Sequence, residues 1–284
     1  MKTGVLVTGA SRGFGRCLAL DFCNELTQDV DIYLWARHGG DLAETERLVK
    51  DAWQRKAPAT NGVLRTMVTV IDLGKMDDYQ PKIDAFLAAA QAENYDRFYL
   101  VHNAGSLGEL SYTQEWSSCE MLDQFMHFNV TSVCWFNKRF LEVFGASRDE
   151  LRAKKVSASK RTHSIIVNIT SLCAIQSFET HGLYCTSKAA REMHHRVIAL
   201  EQAPCAPTVR VLSYSPGPMD TDMQRRIREE PLVHEPLQQM YGDMKTKGTL
   251  IPPEKSSLLG VRYVLSGTFE SGSRIDYYDI APTN

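Results

Sequence analysis

A chain of 284 residues with 43% hydrophobic side chains can bury a full core and fits one large α/β domain. Its net charge of −2 offers no basic footprint for nucleic acid or an anionic membrane, and no apolar run is long enough to span a bilayer. Seven cysteines, odd in number and without a CxxC pair, suit reduced thiols in the cytoplasm, and no metal site is expected.

The first strand-like segment, residues 4–8, begins too early for a signal peptide and runs into Thr8-Gly9-Ala10-Ser11-Arg12-Gly13-Phe14-Gly15. Glycines at 9, 13 and 15 allow a tight turn whose N–H groups approach a pyrophosphate, and a helix over 15–26 adds its positive end. The spacing is not GxGxxG, but a strand before it and a helix after it point to nucleotide binding. The strand at 30–36 ends in Arg37-His38, a cation where NAD-preferring sites carry an acid. With Arg12 it predicts two guanidiniums facing the 2′-phosphate of NADP, which a forked donor suits.

Further along, a helix at 41–56, a strand at 64–71, a helix at 76–92 and a strand at 98–102 continue the alternation. Helix 121–144 precedes residues 148–163, read as a basic solvated loop in which Ser157 and Ser159 are weak candidate kinase targets. Strand 164–170 is branched and apolar and delivers Ser171 to its carboxyl end, where open α/β sheets bind ligands. Helix 183–201 carries Tyr184 and Lys188 four residues apart, so the ammonium lies near the phenol. A free phenol has a pKa of about 10, which a neighbouring cation lowers, so this tyrosine can exchange a proton with a carbonyl or alcohol. Strand 209–214, a charged and methionine-rich stretch at 220–253, helix 253–265 and strand 274–278 complete the chain. Long segments such as 220–253 often cover a substrate. The alternation predicts a single Rossmann-type, doubly wound domain over 1–284, with a mostly parallel seven-stranded sheet flanked by helices and a substrate-loop region at about 219–253.

The glycine turn, Asn103-Ala104-Gly105, Ser171, the Tyr184–Lys188 pair and Pro216-Gly217-Pro218 together resemble the short-chain dehydrogenase/reductase family over nearly the whole chain. The resemblance implies that Ser171 binds the substrate carbonyl and that Tyr184 donates the proton. Lys188 then lowers the tyrosine pKa and holds the nicotinamide ribose, and Asn129 completes a proton relay. Asp72 and Leu73 stand near the adenine, and the 103–105 turn supports the cofactor although His102 replaces a more usual asparagine. Met219, Asp220, Thr221, Asp222, Met223 and Gln224 close over the nicotinamide, with Thr221 as the hydroxyl.

Within the family, residues 168–174, 183–185, 216–224 and 275–279 resemble members that reduce the side-chain carbonyl of a pterin. That implies NADPH as cofactor and Asp276 as the anchor for the guanidine-like edge of the ring, with Leu172, Cys185 and Gly217 lining the pocket. A broader NADPH carbonyl reductase acting on diketones or quinones is the alternative. The resemblance also implies a homodimer formed through helices 121–144 and 183–201.

Overall fold

In the computed structural model, which describes residues 1–56, 61–156 and 162–282, strands and helices alternate in chain order. These are β1 (Lys2–Thr8), α1 (Gly13–Glu25), β2 (Asp29–Ala36), α2 (Gly39–Lys56), β3 (Leu64–Val70), α3 (Met76–Ala92) and β4 (Arg97–His102). Then come α4 (Cys119–Met126), α5 (Ser132–Phe144), α6 (Arg148–Ala153), β5 (His163–Ile169), α7 (Gly182–Gln202) and β6 (Val209–Ser215). The last are α8 (Asp222–Glu229), α9 (Glu235–Thr246), α10 (Pro253–Ser266), β7 (Ser273–Asp276) and α11 (Tyr277–Ile280). The seven strands form one parallel sheet in the order β3-β2-β1-β4-β5-β6-β7. The order reverses between β1 and β4, which opens a crevice at the carboxyl ends of those strands.

Strands buried on both faces need unbroken apolar runs, and Val5, Leu6 and Val7 in β1 are fully buried. One core joins Phe22, Leu34 and Val49 beneath α1, α2 and α10; the other stacks Trp35 on Phe136 with ring centroids 5.2 Å apart, beneath α3 and α5. Each such side chain contributes about 1.5–3 kcal/mol on burial. The sheet is thus held from both sides, and its carboxyl edge becomes a rigid platform for chemistry.

Four segments depart from expectation. Helix 121–144 is interrupted by a π-type turn over His127–Thr131 that carries Asn129, and such bulges re-aim the side chains they contain. The strand expected over 274–278 stops at Asp276, because that carboxylate caps α11 by accepting from Tyr278 N–H. The stretch 220–253 holds two helices, α8 and α9, with Ile227, Val233 and Leu237 buried under them. Part of the basic segment is α6, opened by a Ser147–Glu150 capping box, while Ser157, Ser159, Lys160 and Arg161 lie outside the described residues. Among the described residues no helix is long and apolar enough to cross a membrane, and no cluster of metal-ligating side chains occurs.

Candidate active site

The glycine turn departs from β1 at Thr8 and makes two left-handed bends, Gly9 at φ +70° and Gly13 at φ +53°. A side chain on Gly15 would come within 2.2 Å of the Gly9 carbonyl oxygen, so helix and strand touch as only glycine permits. Asn103 fastens the turn from the next strand end, its Nδ2 donating to Thr8 O (3.0 Å) and Gly9 O (3.3 Å). A side chain on Gly13 would meet nothing within 4 Å, so the amino end of α1 opens into free space of the kind a pyrophosphate fills.

That space is a crevice of about 290 Å³. Of the residues expected at the cofactor, Gly9, Ser11, Arg12, Gly13, Phe14, Gly15, Arg37, His38, Leu73, Asn103, Ala104, Gly105, Met219, Thr221, Asp222 and Met223 line it. Four do not. Ala10 is fully buried, with its N–H on Trp35 O, and Asp72 turns to Gly74 N–H (3.0 Å) in a neighbouring hollow shared with Arg37. Asp220 pairs with Lys245 (2.6 Å), and Gln224 lines a second, larger cavity described below. Arg12 reaches Asp222 across the mouth at 3.4 Å, and the Arg37 guanidinium lies 5.7 Å from the Phe128 ring centroid. The residues present therefore fit a dinucleotide: glycines at the diphosphate, cations at one end, and Tyr184 with Lys188 at the other.

Tyr184 and Lys188 are both buried on α7, with Lys188 Nζ donating to Ile169 O (2.7 Å) and lying 5.4 Å from the phenol ring centroid. Ser171 follows β5 by two residues and caps a 3-10 turn, accepting from Cys173 N–H (3.2 Å), while its hydroxyl also bonds Tyr184. A lowered phenol pKa is expected from the lysine alone, but the structure shows the opposite direction. Burial pushes Tyr184 up, and the charge that opposes this is Arg191, aided by the Ser171 hydrogen bond. Burial and Arg191 likewise push the Lys188 amine well below its ordinary value. At neutral pH the phenol therefore keeps its proton, as a donor must.

Arg191 is a residue the sequence reading passed over. It is fully buried and donates to Asn168 Oδ1 (3.0 Å), Ala104 O (3.0 Å) and His102 O (2.7 Å), which ties the ends of β4 and β5 together beneath the crevice. Burial lowers its pKa to about 10. Its position three residues after Lys188, on the same helical face, was the available signal. His102 turns inward to Asn137 (2.8 Å), and burial holds it down to about 3, so it is neutral; its backbone takes part in the turn. Asn129 accepts from Ser106 N–H (2.9 Å) and donates to Phe125 O (3.0 Å), and a side chain on Gly105 would lie 3.4 Å from its Oδ1 and 3.9 Å from Lys188 Nζ.

A second cavity, about 700 Å³, meets the crevice at Tyr184, Thr170, Pro216 and Met219. Ser171, Leu172, Gly217 and Asp276 line it as expected. Cys185 does not; its sulfur is 3.9 Å from Gln176 O and bonds the Cys173 thiol, a contact that lowers Cys185 and raises Cys173. Ile227, Met240, Tyr241 and Met244 from α8 and α9 form an apolar roof, which Arg226 pins by donating to Gly108 O (2.9 Å). Arg274 joins the polar floor, and neither it nor its partner Glu192 was anticipated.

A dinucleotide crevice on a doubly wound sheet, with a protonated tyrosine, a lysine and a serine where it meets a second cavity, defines a nicotinamide-dependent oxidoreductase acting on a carbonyl or alcohol. The sequence profile of short chain dehydrogenases matches residues 3–232, and the chain belongs to that family. It is 34% identical over 281 residues to the sepiapterin reductase of Bos taurus, an alignment covering 98% of this chain and 95% of that protein. A benzil reductase from Bacillus subtilis is 26% identical, with 78% and 77% covered. A short chain dehydrogenase from Shigella flexneri, solved with NADP, shares the fold with a TM-score of 0.71, 20% identity and 97% of each chain covered.

Proposed function

We propose that this protein is an NADPH-dependent reductase of pterin side-chain carbonyls, with sepiapterin and 6-pyruvoyl-tetrahydropterin as substrates, acting in the last step toward tetrahydrobiopterin. The observation that carries the reading is Asp276, a carboxylate in the same cavity as Ser171 and Tyr184, and it joins the likeness to the bovine enzyme. NADP is favoured over NAD because Arg37 and His38 follow β2 where an acid would otherwise hold the 2′-hydroxyl, and Arg12 faces the same crevice.

Bound NADPH supplies the hydride. Ser171 polarises the carbonyl oxygen, and Tyr184, kept protonated by burial, delivers its proton to that oxygen. Lys188 stands beside the crevice on Ile169 O to hold the ribose, and Asn129, held by Ser106 N–H and Phe125 O, is assigned to the relay that returns the proton. The roof of α8 and α9 sets apolar side chains over the site, and the lower local polarity strengthens these contacts. A cytoplasmic location is also proposed, since seven cysteines, odd in number and without a CxxC pair, suit reduced thiols. A homodimer through the outer face of α7 is also proposed, since Met193, Val197 and Leu200 are 56%, 42% and 77% exposed at helical spacing.

The apolar roof and the benzil reductase likeness favour a second reading, reduction of simple diketones. NADPH oxidation with sepiapterin, set against NADH and against a plain diketone, separates the two. The proposed function expects the highest kcat/KM with NADPH and sepiapterin; equal values for sepiapterin and the diketone would replace it with the second reading.

A further inference from the structure

Asp276 does not face the cavity alone. Arg274 lies two residues earlier on β7 with its side chain 17% exposed, and its Nη1 donates to Glu192 Oε2 (2.8 Å) and to Ser171 O (3.0 Å). Its other nitrogen, Nη2, is buried, lacks a hydrogen-bond partner in the protein and lies 3.7 Å from Asp276 Oδ2. Asp276 Oδ1 is used in capping α11. A buried donor left unbonded costs about 1–3 kcal/mol, so an orphan just behind a cavity wall that the rest of its side chain lines is a place where a small turn of the guanidinium toward a ligand acceptor gains binding.

We propose that Asp276 Oδ2 and Arg274 Nη2 form a paired acceptor–donor edge that recognises a cyclic amide, a ring N–H beside a ring C=O, so that Arg274 selects the 4-oxo form of the pterin ring. This rests on the pterin reading and adds to it a residue that reads the carbonyl side of the edge. Glu192 neutralises the Arg274 charge and Asp276 adds a negative one, so the floor favours a neutral ring over an anion. Through Nη1 the same guanidinium holds the backbone of Ser171, so the group that grips the ring also sets where its side chain meets the proton donor.

The test measures inhibition of the NADPH-loaded enzyme by pterin and by 2-aminopteridine, which lacks the 4-oxo group and with it the neighbouring ring N–H. Wild type is expected to bind pterin about tenfold more tightly. Arg274→Lys, which keeps a cation for Glu192 but lacks the second fork nitrogen, and Arg274→Met should both shrink the ratio several-fold by weakening pterin alone, the remainder being the Asp276 contact to the ring N–H. Asp276→Ala should weaken both rings. If Arg274→Met does not fold, Arg274→Met with Glu192→Gln removes the stranded carboxylate and gives the same readout. A wild-type ratio that persists in the Arg274 variants overturns the edge and leaves the pterin reading standing; if neither ring binds wild type, that reading falls and the edge with it.

Discussion

The crevice and the cavity meet at Tyr184 yet are built from different kinds of contact. The crevice is made by strand ends and the short turns that follow them: Gly9 to Gly15 after β1, Arg37 after β2 and Asn103 after β4. The cavity draws its floor from the chain's last strand and its roof from α8 and α9, and the Ser171–Arg274 contact spans 103 residues of sequence. A local turn can be inherited whole, whereas a wall assembled from distant segments is free to vary. Cofactor chemistry should therefore be robust, and substrate choice should depend on a few tertiary contacts.

The sharpest division comes from the residue common to both regions. Tyr184→Phe should lower kcat by about 10²–10⁴ while NADPH binding, followed by fluorescence quenching, is unchanged. A near-normal rate would remove the proton-donor role. On the crevice side, Arg37→Met should cut the preference for NADPH over NADH about tenfold or more, with KM for the carbonyl substrate unmoved. Joint movement of both would show that the regions are not separable. On the cavity side, Asp276→Ala should raise KM for pterins about tenfold and leave a plain diketone unaffected; equal effects on both substrates would take away the anchor.

The smallest effect concerns the cysteine pair behind Ser171. The neighbouring Cys173 thiol lowers Cys185 below the ordinary thiol range. Only the thiolate reacts, so Cys185 becomes reactive at a lower pH than a free thiol. Its iodoacetamide labelling, read by mass spectrometry, should rise through neutrality, and Cys173→Ser should move the midpoint upward and slow labelling at neutral pH a few-fold. Labelling that ignores the substitution would show that the hydrogen bond does not set the thiol.

Where the readings diverged, the missing information was long-range. The π-type turn at His127–Thr131 has no glycine or proline to mark it in a run that reads as one helix. The end of β7 depends on the Asp276 carboxylate turning back to cap α11. Asp220 looked like its neighbours in 219–224 but is claimed by Lys245, 25 residues on. The direction of the Tyr184 shift could not be read from the lysine spacing, because burial outweighs a nearby charge and burial is a property of the packed fold.

By itself the sequence determined the alternation of strands and helices, the phosphate turn, the cationic end of β2 and the placing of Tyr184 and Lys188 on one helical face. Each is set by residues within a turn or two of one another, where sterics, capping and period act directly. Only the tertiary structure decided that Arg191 would bind the ends of β4 and β5 under the crevice, that Arg274 would hold the Ser171 backbone, and that Asp276 would share its carboxylate between a helix cap and the second cavity. Those contacts join segments far apart in the chain, and what brings them together is the burial of the sheet on both faces, to which every strand contributes and which none encodes alone.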